Sequence, residues 1–183
     1  NRTTNTAFTT GAGSLSDTPP GEGWVDLRVV AYGRTYRVVV TNANGGTIGT
    51  AEFTTTTDNT IAISANQILT DLRNDLAALA NINATIIGNG IHVTHTTAGT
   101  QFGLQTDDPS LLTVFTSEVN NVERLPSQCH HGYLVQIVNS ASENDDFYAV
   151  FQGKNNEDGD GVWVETVGWI RNDDGTYTGI STT

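Results

Sequence analysis

The chain predicts an α+β fold that is mostly β: an antiparallel sheet with one amphipathic helix, followed by a small all-β antiparallel module. Three observations carry that reading. Short runs alternate apolar and polar residues, a single stretch switches to three- and four-residue spacing, and Gly, Asn and Asp clusters punctuate both. With 183 residues the chain can form one medium domain or two small ones, each able to bury a core.

Residues 1–23 are rich in Thr, Gly, Ser and Pro, reach Pro19-Pro20-Gly21, and have no apolar period, so they read as a linker or extended arm. From Trp24 to Tyr32, Val25, Leu27, Val29 and Ala31 share one side of a two-residue period. Tyr36, Val38 and Val40 repeat it after Gly33-Arg34. This predicts a hairpin, with Gly33 supplying the positive φ that the first position of a type II′ turn needs. Asn44-Gly45-Gly46 then turns into a Thr-rich strand over 51–57, where branched side chains suit a pleated surface.

The period changes between Ser64 and Leu79. Ala65, Ile68, Leu69, Leu72, Leu76 and Leu79 recur at helical spacing, and Ser64 followed by Gln67 forms a capping-box pattern. The apolar stripe is expected to cover a sheet. Thr85 to Ile87, the turn Gly88-Asn89-Gly90 and Ile91 to Thr97 predict a second hairpin. Phe102 and Leu104 open one more strand, closed by Asp107-Asp108-Pro109.

A boundary is expected at Arg124-Leu125-Pro126, giving an α+β module over 24–123 with its helix near 64–80, and an antiparallel β module over 124–183. Strands in the second are expected at 132–139, 147–152, 162–170 and 176–180, with a turn at Asn172-Asp173-Asp174-Gly175.

Twenty acidic residues against eight basic ones give a net charge of −12, and Lys154 is the single lysine. A protein that grips nucleic acid needs a basic stripe, so no sequence-specific nucleic-acid binding is expected. The charge serves solubility, or lines a conduit through which DNA slides without sticking. One cysteine, Cys129, excludes an internal disulfide. No apolar run approaches the ~20 residues of a membrane helix, so no membrane insertion is expected. The absence of any methionine implies that this is a piece of a longer protein.

No catalytic residue and no cofactor are expected. Cys129, His130 and His131 are adjacent, so in an extended segment neighbours face opposite sides. His92 and His95 likewise fall on different faces of a strand and read as surface or pore-facing residues. Asn156, Asp158, Asp160 and Gly161 open like a calcium loop. Its closing carboxylate is missing, because Val167 stands at that position and Glu165 comes two residues early. Glu143, Asp145, Asp146, Asp158 and Asp160 offer carboxylates for glycoside hydrolysis, but no spacing singles out a pair. There is no Gly-x-Ser-x-Gly elbow, His-Glu-x-x-His or phosphate loop. Trp24, Trp163 and Trp169 are either core or a stacking platform for a sugar, and exposure of two in one groove would favour the sugar.

Gly132-Tyr133-Leu134-Val135-Gln136-Ile137, Phe147-Tyr148-Ala149-Val150-Phe151 and Gly161-Val162-Trp163-Val164-Glu165-Thr166 together resemble the recurring module of tail tubular protein B, the nozzle protein of short-tailed phages. Tyr32-Gly33-Arg34-Thr35-Tyr36 resembles that family's first hairpin, Asn1-Arg2-Thr3 the preceding strand end, and Leu125-Pro126 the lead into the second module. Gly132, Tyr133, Gly161, Trp163 and Glu165 form the structural signature. The sequence departs from the family at Cys129-His130-His131 and in the loop from Lys154 to Asp160. The resemblance implies a virion tail protein, assembled in the host cytoplasm into a ring of copies, a hexamer. That ring would conduct DNA during ejection and touch an adaptor tail tubular protein and a tail fibre protein. The alternative from a different class is a glycan-binding or glycan-degrading tail module acting at the host surface.

Overall fold

The computed structural model describes residues 19–138, 146–171 and 177–179. The fold is mostly β with one α-helix among the described residues, as the alternation predicts. Strands β1 (Glu22–Leu27), β2 (Thr35–Asn42) and β3 (Thr47–Thr54) precede helix α1 (Ala65–Ala78). Then come β4 (Ile82–Ile87), β5 (Gly90–His95), β6 (Phe102–Thr106), β7 (Leu112–Phe115) and β8 (Glu118–Val119). The C-terminal part holds β9 (Gln128–Cys129), β10 (Leu134–Ile137), β11 (Phe147–Gly153), β12 (Gly159–Thr166), β13 (Trp169–Arg171) and β14 (Tyr177–Gly179).

These strands make a four-stranded sheet in the order β4-β5-β1-β7, a three-stranded sheet β3-β2-β6, a five-stranded sheet β8-β10-β11-β12-β9, and the pair β13-β14. Helix α1 begins at Ser64, whose hydroxyl accepts from the Gln67 N–H at 3.2 Å, and it buries Ile68, Leu69, Leu72 and Leu76. That face closes a core between the first two sheets, with Val25, Tyr36, Val38, Val40, Ile91, Val93 and Leu112. The hairpin expected over 85–97 forms as β4–β5, and the turn expected at Asn44-Gly45-Gly46 joins β2 to β3, which starts at Thr47, ahead of the expected 51–57. The turn expected at 172–175 lies outside the described residues.

The first expected hairpin is not there. β1 ends at Leu27 and pairs with β5 and β7, whereas β2 pairs with β3 and β6, so the two strands belong to different sheets. Gly33 does have a positive φ of 61°, but its N–H bonds to Thr56 O at 2.9 Å and turns the chain against the end of β3. Val29 and Tyr32, expected inside a strand, are exposed. Arg28, just past the end of β1, holds Asp26 at 3.1 Å, and Arg37 on β2 holds Asp107 at 2.9 Å.

β7 and β8, with four and two residues, are too short to show a period in the sequence. β8, although it precedes residue 124, pairs in parallel with β10 and so belongs to the C-terminal sheet.

Candidate functional site: the seam between the two sheets

Alternation along β1 sends its residues to two different cores. Val25 and Leu27 face the helix, while Glu22, Trp24 and Asp26 face the C-terminal sheet. The strand register sets Trp24 opposite both His92 on β5 and Phe115 on β7, which makes a row His92-Trp24-Phe115 across the sheet. Gly90 lets the Trp24 ring lie flat on β5, since a Cβ there would stand 2.2 Å from an indole carbon.

Tyr133 descends onto this row from the other side. Gly132, with φ at 87°, turns the chain just before it and donates its N–H to Phe151 O at 2.8 Å. The Tyr133 ring is fully buried and meets Trp24, His92, Phe115 and Trp163 edge to face, with centroids 6.5, 5.8, 5.7 and 6.2 Å away. Its hydroxyl donates to Thr116 O at 2.7 Å. Burial, and then the negative charge of Glu22, push the phenol well above its ordinary range, so it stays a donor at any physiological pH.

Trp163 completes the cluster. It is partly buried against Phe151, at 5.3 Å between centroids, and its indole N–H donates to Pro126 O at 2.8 Å. Gly161 is needed because a Cβ would meet Gln152 O at 2.3 Å, whereas Glu165 is exposed on β12. Trp24 is buried and Trp163 packed, so these two do not line an open groove; the Trp169 side chain lies outside the described residues.

A model of the bacteriophage nozzle protein family matches residues 1–178. The chain belongs to that family. It is therefore a structural component of a phage tail, found in the virion and assembled with other tail proteins. Among curated proteins none matches the chain. No helix among the described residues is long and apolar enough to cross a membrane.

The polar residues of this nozzle chain gather at one end of the same seam. The Glu22 carboxylate lies 2.9 Å from His92 Nε2, and both side chains are nearly buried, 10% and 11% exposed. The His92 ring stacks on His130, with centroids 4.3 Å apart and planes 15° from parallel. His130 Nδ1 in turn lies 2.8 Å from Asp158 Oδ1, which also accepts the His131 N–H at 2.8 Å. His92 is thus an interior residue, against the expectation of a surface or pore-facing one.

The His95 ring accepts from the Thr97 N–H at 3.0 Å, and His131 Nδ1 accepts from the Gly153 N–H at 3.1 Å. Asp160 accepts from Gln128 Nε2 at 2.6 Å. Asn155 and Asn156 both take φ near 60°, turning the chain between β11 and β12. Glu143 and Asp145 lie outside the described residues, and Asp146 stands just before β11.

Cys129 is buried on the strand side opposite His130. Burial pushes its thiol far up, and the nearby carboxylates Glu22, Asp158 and Asp26 push it further, so it is an inert core residue.

Along the sequence the histidines stand in local pairs, His92 with His95 and His130 with His131. The fold pairs them differently, one from each segment. The departure from the family pattern at Cys129-His130-His131 was the one signal that pointed there.

Proposed function

We propose that this chain forms part of the wall of a tail nozzle, in a ring of six copies that conducts DNA during ejection and contacts an adaptor ring above and a fibre at its side. Two modules divide the work in this reading, one that carries the helix and one built on the five-stranded C-terminal sheet, after an arm that ends where β1 begins at Glu22. Neither carries out a catalytic step. Family membership supports the tail role, and the ring, its order and its neighbours follow from the resemblance set out above.

Charge is the observation that carries the conduit reading. The net charge is −12, and two arginines of the N-terminal region are occupied: Arg28 by Asp26, and Arg37 by Asp107 and Glu52, at 3.1, 2.9 and 3.6 Å. A wall of this kind repels a duplex over a Debye length, about 8–10 Å at ordinary salt. Contacts that neutralised phosphates would instead act as brakes on a passing genome.

Anisotropy titration of duplex DNA with the 183-residue chain tests this. No binding is expected, even at about 10 mM salt where screening extends to roughly 30 Å and attraction would be strongest. Micromolar binding that weakens steeply with salt would refute the repulsive conduit.

A further inference from the structure

Glu22, His92 and His130 come from three separate segments, β1, β5 and the turn after β9, yet each presents a ligand atom within 4.8 Å of the others. We propose that they form a binding site for a divalent transition metal of the zinc class, which ties the helix-bearing half of the molecule to the C-terminal sheet.

The donor set is two imidazoles and one carboxylate, borderline ligands that suit Zn²⁺ and its neighbours and not the oxygen-seeking Ca²⁺ or Mg²⁺. Two features beyond proximity fit a ligand set. First, Asp158 accepts from His130 Nδ1 at 2.8 Å and is itself anchored by the His131 N–H. With the proton on Nδ1, the lone pair of His130 sits on Nε2. This is the carboxylate–histidine arrangement that orients metal-bound imidazoles. Second, Glu22 and His92 are nearly buried, held by paired strands on one face of a sheet, so two of the donors are fixed before any ion arrives.

Bonds of about 2.0–2.2 Å require donors closer together than the 4.8 Å limit of the free cluster, so the stacked rings must splay and turn their nitrogens inward. His130, on a turn and part exposed, is the ligand free to do so. Three protein ligands leave a fourth position for water. The role proposed for the site is to join two sheets.

The test uses the full 183-residue chain, stripped of metal and titrated with Zn²⁺ by calorimetry, with Co²⁺ absorption to report coordination. One saturable equivalent is expected, with tetrahedral or five-coordinate Co²⁺ bands, and a Tm that rises with Zn²⁺ and returns on chelation. His92→Gln and His130→Gln should each abolish binding. Asp158→Asn, which leaves all three ligands, should weaken it about 10–100-fold. His95→Gln should change nothing.

His130→Gln serves as the decisive variant if His92→Gln fails to fold, because His130 is only half buried and its circular dichroism should match the unaltered chain. Absence of saturable binding in the unaltered chain would overturn the proposal. So would undiminished affinity in folded His130→Gln, which would put the metal elsewhere.

Discussion

The two cores that share β1 are built by different means. The core under α1 is mainly aliphatic: Val, Ile and Leu from β1, β2, β4, β5, β7 and the helix, with the buried rings of Tyr36 and Phe102 among them. The core on the opposite face of β1 is richer in rings, with Trp24, Phe115, Tyr133 and Phe151 buried among Ile87, Val119, Val135 and Ile137, and Phe147 and Trp163 packed against it. Aliphatic side chains gain from area alone and tolerate many arrangements. Edge-to-face rings are directional and their polar tips require partners, which Tyr133 and Trp163 find in the Thr116 and Pro126 carbonyls. The first core therefore holds a fold together, while the second fixes how one sheet sits on another. In a protein that must keep its shape within an assembly, the second is the more consequential.

The largest way to break this comparison is to remove the ring on which the aromatic core converges. Tyr133→Ala should cost about 4–5 kcal/mol, at the upper end for a buried ring, because four neighbouring rings lose their partner. Denaturant unfolding followed both by helix ellipticity and by tryptophan fluorescence checks it. Since β1 belongs to both cores, the two signals should shift together. If the helix signal keeps its midpoint while fluorescence falls early, the cores are independent.

Trp163→Ala sharpens the same point with a smaller effect. Its ring is only partly buried, so about 3 kcal/mol is expected, lost from packing on Phe151 and Tyr133 and from the bond to Pro126 O. An unchanged midpoint accompanied by lost glycan binding would instead make Trp163 a sugar platform.

How much of this was legible follows from the same contrast. Helix α1, its Ser64 cap and its buried stripe are local facts, written at three- and four-residue spacing within one stretch, and they appear where expected. The hairpins β2–β3 and β4–β5 are equally local. β1 is different. Its alternation shows which residues share a face, but a period names no partner, and the nearest turn, at Gly33, is used against Thr56 instead. The aromatic seam draws its rings from β1, β7, β11, β12 and the turn before β10, one or two from each, so no window contains it. The histidine cluster was hidden for the same reason. Glu22 falls in the stretch read as an arm, and His92 and His130 belong to separate segments, so their meeting is decided by how the sheets stack.

The smallest effect concerns Asp26, which faces the aromatic core beside Trp24 with its side chain only 12% exposed. Burial raises its pKa above the ordinary carboxylate value, and the hydrogen bond and charge of Arg28, with a lesser contribution from the Trp24 indole, offset only part of that rise. The native state then holds this proton to higher pH than the unfolded chain does. The stabilising contribution is full below the unfolded pKa, near 3.8, and is lost as pH rises through the raised native value. Asp58 and Asp108, on the surface, work in the opposite direction. Hydrogen bonds from Thr60 and Ser110 lower their pKa values, so their contribution is present above the ordinary value and fades as pH falls through the lowered native one. The net pH profile of the unaltered chain mixes both signs, and a difference between two chains separates them. Asp26→Asn keeps the shape of the protonated side chain and gives up the charge of the pair with Arg28. Subtracting its stability from that of the unaltered chain, point by point from pH 3 upward, should leave a curve that falls through the acid range and then levels. A flat difference would mean that Asp26 is solvated as an ordinary surface carboxylate, and that the aromatic face of β1 is wetter than its packing implies.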